Sequence, residues 1–309
     1  MCAMADEILQ AYNLIRSGNP FEAKSVLEPA LVYEPDDGET LFAMGCCNFW
    51  IDAIKRAEEI DDFFERGEIY INEWKSFLIF LKRGKKIFER TMFAVRTGVF
   101  TLALDCYNRI SVEKNSAQKA EIQRKIGLCY KKLGEYEMAR NCLAEALSLK
   151  NDSAPIIAEA ADCYALCSEE RHAKVLFREA FFVDAQKIDL EFLDSELIKC
   201  LVRNVMEKGF SGSALLEWIP VYGQLFGIFT VKRRLKPQEI ARLKGDIYAA
   251  EIAMKAPSCQ IELLTPRLIN LYFWLIDYYV SVKEDIKKTN EILTRIKILD
   301  TEIYEMYVK

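Results

Sequence analysis

One displacement governs this chain. Tyr130, Ala139, Leu143 and Ala146 return as Tyr164, Ala173, Phe177 and Ala180, each 34 positions further on. Self-similarity at a fixed period of that length marks a stack of like units rather than one enlarged core. The upstream copy reads Ile126-Gly127-Leu128-Cys129-Tyr130, then Gly134-Glu135-Tyr136, then Ala139, Leu143 and Ala146. Gly127 admits a partner helix at close range, Gly134 supplies the backbone freedom of a short turn, and Ala139 and Ala146 share one face two turns apart. Leu143 or Phe177 fills the space beside them. Each unit is therefore expected to be a helix–turn–helix whose apolar face only a neighbouring unit can cover.

These residues resemble the tetratricopeptide repeat (TPR) family, whose 34-residue pattern runs through a large apolar residue, Leu-Gly, Tyr, a turn Gly, Ala, an aromatic, Ala and Pro. The resemblance covers 120–153 and 154–187, with Ala161 in place of the first glycine and Ser168 in place of the turn glycine. Gly18, Ala23, Leu27, Ala30 and Pro35 give a further copy at 4–37, and Gly98, Phe100, Ala103, Tyr107 and Ile110 give one at 84–119. Between them, Glu39 to Arg66 and Glu68 to Val95 carry apolar residues at helical spacing, which makes 38–83 a long, degenerate repeat. The resemblance implies an all-α, right-handed superhelical solenoid over 1–188. A divergent helical block at 189–309 follows it.

In that block the helical rhythm continues through Leu190 to Lys208, Pro237 to Lys255, Pro266 to Val282 and Asp285 to Tyr307. Pro237 and Thr265-Pro266 read as helix starts. Gly209, Gly212, Pro220, Gly223 and Gly227 interrupt the rhythm, so 209–235 reads as an irregular segment.

Composition narrows the function classes. The 309 residues are 51% hydrophobic and 29% charged, which excludes a disordered or collagen-like chain. A formal charge of −5 would repel a phosphate backbone, so no nucleic-acid partner is expected. The ten cysteines form no C-x-x-C pair and fit a reducing cytoplasm. The first residues turn acidic before any apolar run, so a mature start is expected. Ala214 to Val231 and Leu268 to Val282 are too interrupted or too short for stable membrane insertion.

A search for chemistry leaves little. His172, the only histidine, reads as an exposed helix residue. Gly209-Phe210-Ser211-Gly212-Ser213 lacks the terminal glycine of a nucleophile elbow, and Lys82-Arg83-Gly84-Lys85-Lys86 lacks the leading glycine of a phosphate loop. Cys163, Cys167 and His172 come nearest to a metal cluster but read as packing thiols and a surface imidazole. Of the adjacent Cys46 and Cys47, one is expected inside and the other accessible. No catalytic residue, cofactor or metal is expected.

What remains is surface. The TPR resemblance implies a concave groove lined by the first helix of each repeat: Ile8, Tyr12, Ile15 and Arg16; Phe42, Cys46, Phe49 and Trp50; Lys85, Phe88, Met92 and Arg96; Glu121, Arg124, Leu128, Lys131 and Lys132. One end is aromatic and the other basic. Leu128 stands where the family's carboxylate clamp has asparagine, with Ala158 and Asp162 in the next repeat, so a chaperone-tail adaptor is disfavoured. The expectation is a non-enzymatic, cytoplasmic scaffold that binds a helix or peptide with apolar anchors and a few acids. The same aromatics could instead be core. A second reading assigns self-assembly, as a homo-oligomer, or membrane-surface docking to Trp218, Tyr222, Phe226 and Phe229 beside Lys232-Arg233-Arg234, together with Tyr272-Phe273-Trp274.

Overall fold

The computed structural model describes residues 2–82, 86–111, 115–284 and 286–309. Among these every regular element is helical: fifteen α-helices and two one-turn 3-10 helices, with no strand. They form two compact units, Met1–Lys150 and Asn151–Lys309. A boundary at 188/189 therefore cuts through the second unit. Contacts made by the 154–187 helices explain this: both carboxylate oxygens of Asp162 accept backbone N–H groups, from Asp194 and Ser195 at 2.8 Å each, and Arg178 pairs with Asp277.

In the first unit, α1 (Cys2–Arg16) and α2 (Pro20–Tyr33) form a hairpin. Its turn carries Gly18 at φ +79°, a left-handed conformation that glycine adopts without penalty. The long pair α3 (Gly38–Glu58) and α4 (Phe63–Leu81) follows, each helix capped by an aspartate, Asp37 accepting from Thr40 N and Asp62 from Glu65 N at 2.9 Å. The apolar run Glu68 to Val95 is thus split at the end of α4.

The 84–119 segment differs most from its reading. Among its described residues it holds one 20-residue helix, α5 (Glu89–Asn108), and the start of the next helix at Ser116, instead of a helix–turn–helix. Gly98 stays helical, since its φ is not positive, and serves a close crossing: a Cβ there would lie 2.1 Å from the carbonyl oxygen of Ile15 on α1. The same residue type answers two needs, turning and close packing, and spacing alone does not separate them. α5 also packs on α4 and on α6 (Ser116–Leu133).

The turn from α6 to α7 (Tyr136–Leu149) falls at Gly134, φ +87°. A Cβ on Gly127 would come within 2.7 Å of Leu143, so that glycine is the contact surface for α7, as the sequence implies. Ala139, Leu143 and Ala146 are buried, as are Ala173, Phe177 and Ala180 in the second unit.

In the second unit α8 (Ala154–Leu166) and α9 (Glu170–Asp184) form the 34-residue counterpart, with Ser168 at φ +65° in the turn-glycine position. Then come α10 (Glu196–Glu207), α11 (Gly212–Leu225), α12 (Pro237–Ala253), α13 (Ile261–Ser281), α14 (Ile286–Leu299) and α15 (Thr301–Val308). Half of the segment read as irregular is helix α11, which absorbs Pro220 in its interior. Beyond it the chain folds back. The N–H groups of Ile228 and Phe229 both reach Gly223 O at 2.9 Å, and Phe229 closes over Gly223, whose missing Cβ makes the room. Pro266 lies inside α13 rather than at its start, because Ile261 to Leu264 already form its first turn. The Asp285 to Tyr307 run breaks at Asp300, which caps α15 by accepting from Ile303 N at 3.0 Å.

Candidate protein-binding surface

The groove residues separate into three groups. Tyr12, Trp50 and Leu128 are core: Tyr12 is 3% exposed, and its hydroxyl donates to Glu39 at 2.5 Å and pairs with Thr91 at 3.1 Å. Trp50 packs edge-on against Phe77, 5.5 Å between centroids, within a cluster that also takes in Trp74 and Phe49. Phe42 and Phe88 are half-buried against each other at 5.7 Å. Phe49 and Trp50 of α3 meet Trp74 and Phe77 of α4, so these rings fill the contact between the two helices.

The basic end is committed to other tasks. Arg124 forks onto Glu121, with nitrogen–oxygen distances of 2.9 and 2.5 Å, and Lys131 and Lys132 are buried. Lys85 lies outside the described residues.

Arg16, Met92 and Arg96 remain, and the fold brings them to one cleft of about 520 Å³ on the first unit. The crossing at Gly98 carries the end of α1, with Arg16, alongside α5. Trp74 of α4 and Ile87 add apolar wall, and Glu89, Arg90 and Phe93 complete the lining. Phe93 is 47% exposed, a large ring left open to solvent. The guanidinium of Arg16 lies 5.2 Å from its centroid and that of Arg96 5.6 Å, both within cation–π range.

None of Arg16, Arg90 or Arg96 has an ion-pair partner among the described residues, although acids outnumber bases in the chain. Among the described residues Glu89 is the one carboxylate on the cleft wall, and it forms an ion pair with none of them. Arg16 donates to Asn13 at a long 3.5 Å, while its Nε is closed from solvent without a hydrogen-bond partner. Arg90 and Phe93 were missed in the sequence, although Arg90, Phe93 and Arg96 stand at i, i+3 and i+6 and so share a helix face.

Other candidate positions resolve as follows. Cys46 and Cys47 are both buried, because α2 and α4 cover α3 from two sides; burial pushes each thiol up to about 12. His172 is exposed and hydrogen-bonds Glu169 at 3.1 Å. Cys163 is buried, and no three metal-ligating side chains gather among the described residues. A cavity of about 420 Å³ in the second unit contains Glu217, whose carboxylate accepts from Gln186 at 2.8 Å and Arg267 at 2.7 Å.

The aromatics of the second reading are mostly interior. Trp218, Tyr222, Phe229, Tyr272, Phe273 and Trp274 are all buried. Trp274 lies 4.3 Å from Phe182 and 4.3 Å from the Arg178 guanidinium. Lys232 pairs with Asp277, and Arg233 with Glu179 and Glu239, so this basic run ties its strand of chain to α9, α12 and α13. No helix among the described residues is long and apolar enough to cross a membrane.

Compared with known proteins, the chain matches no protein-family model and no curated protein.

Proposed function

We propose that this protein is a non-enzymatic scaffold that holds a partner protein, and that the partner's peptide or helix docks in the cleft between the ends of α1 and α5. The observation that carries this reading is the convergence of three arginines without carboxylate partners on a cleft walled by Phe93, Met92, Ile87 and Trp74. Apolar wall provides contact area that gains from being desolvated, and the unpaired guanidiniums select and orient acids beside it. This is the ligand class the sequence implies, an apolar anchor with a few acids. The 34-residue register at Gly134 and Ser168 supports a repeat scaffold related in design to the TPR family. Nine of the ten cysteines stand in no disulfide, which supports a cytoplasmic setting.

The test is affinity capture from cells that make the protein, with wild type, Phe93→Asp and Arg96→Glu as baits and capture read by quantitative mass spectrometry. Partners that depend on the cleft drop out with both variants. Undiminished recovery by both would reject this surface.

A further inference from the structure

The chemistry of the cleft narrows its occupant, on the reading that the cleft is where a partner docks. Arg16, Arg90 and Arg96 together bring three positive charges, and Glu89 is the only acid on the wall among the described residues. Folding has left these charges uncompensated, against a chain whose net charge is −5. Arginine presents a planar fork of N–H donors that suits two oxygens of one anion. A single carboxylate brings one charge and two oxygens, which one fork satisfies, and two guanidiniums would stay unmatched beside Phe93 and Trp74.

A phosphate monoester brings close to two charges and three terminal oxygens on one phosphorus, enough to meet three forks from three directions. The geometry supports that count. Arg16 and Arg96 both lie within 6 Å of the Phe93 centroid. Arg90 stands one helical turn before Phe93 on the same face. Stacking on Phe93 also fixes two of the side chains before any ligand arrives, which reduces the ordering cost of binding.

We infer that the α1–α5 cleft recognises a phosphorylated side chain of the partner, with Arg16, Arg90 and Arg96 sharing the phosphoryl oxygens and Met92, Phe93 and Ile87 receiving an apolar neighbour in the peptide. The chain requires no reaction for this. Phosphorylation of the partner acts as the signal and the cleft reads it.

Three fluorescent nine-residue peptides test the proposal by anisotropy against the full chain: one with a central phosphoserine flanked by leucine and alanine, its serine parent, and one with Glu-Glu in place of the phosphoserine. The phosphopeptide is expected to bind at least tenfold more tightly than either of the others. Inorganic phosphate at millimolar concentration should displace it. Arg90→Gln and Arg96→Gln, both at exposed positions, should each weaken it about tenfold with unchanged thermal unfolding, and Arg96→Lys should fall between, since charge is kept and the fork lost. Equal binding of the Glu-Glu peptide would overturn phosphate recognition while leaving a protein-binding cleft. Failure of all three peptides, with cellular partners still captured through Phe93 and Arg96, would overturn it too and separate this inference from the reading it rests on. Phosphopeptide binding indifferent to both glutamine variants would place the phosphate elsewhere and reject the assignment.

Discussion

The Tyr107 hydroxyl donates to the Glu68 carboxylate at 2.6 Å, joining the last turn of α5 to the first half of α4. The Lys125 ammonium of α6 meets the same carboxylate at 2.7 Å. Three helices therefore share one acceptor. Gly67 makes the approach possible, since a Cβ there would meet the Tyr107 ring at 2.7 Å. Burial, and then the Glu68 charge, push the Tyr107 hydroxyl above its usual range, which favours the protonated, donating form.

Removing the two partners should cost unequal amounts. Tyr107→Phe deletes one hydrogen bond and leaves the Glu68–Lys125 pair intact, a loss of about 1 kcal/mol. Glu68→Ala strands the buried Lys125 ammonium and should cost about 2–3 kcal/mol, below the cost for a fully buried pair because Glu68 reaches solvent. Urea unfolding of both variants checks the order, and a reversed order would contradict the account.

Ser168 holds φ +65° at the position where the upstream repeat has Gly134 at +87°. Ser168→Gly relieves this left-handed strain and should stabilise the second unit by about 0.5–1 kcal/mol, while Gly134→Ser should cost about 1–2 kcal/mol. Paired thermal or urea unfolding curves measure both shifts.

Gly98 links stability to the site. Gly98→Ala drives a methyl group into the carbonyl of Ile15, one residue from Arg16, and should cost about 3 kcal/mol and weaken binding in the cleft. Gly245→Ala, in helix α12 with nothing within 4 Å, should instead stabilise by about 1 kcal/mol. A Gly98→Ala variant with wild-type stability and binding would show that α1 and α5 do not cross there.

The Arg233 guanidinium, hydrogen-bonded to Glu239, holds that carboxyl below the usual range. Its folded value is depressed, so the stability it contributes is present above the unfolded carboxylate value near pH ~4.3 and is lost as pH falls through the lower folded value. Glu239→Gln should therefore flatten the acid limb of the stability curve and leave its slope at neutral pH unchanged. Denaturation midpoints measured from pH 2 to 7 give the comparison.

The sequence carried the helical class and the α6–α7 and α8–α9 turns, because small residues at a fixed period have few other uses. It misread the 84–119 stretch because Gly98 is spent on a helix crossing, a contact between residues 83 positions apart that no local pattern records. Three of the seventeen groove positions, Arg16, Met92 and Arg96, reached the cleft. Tyr12, Trp50 and Leu128 did not, since helical spacing names a face without saying whether a neighbour covers it. Trp74 joined the cleft only through the packing of α4 on α5.

The most direct measurement is hydrogen–deuterium exchange on the protein with and without a captured partner. Docking in the cleft predicts slowed exchange concentrated at residues 13–17 and 86–97, with little change along α12 to α15. Protection confined to the second unit, or an α5 start that exchanges as fast in the complex as alone, would contradict it.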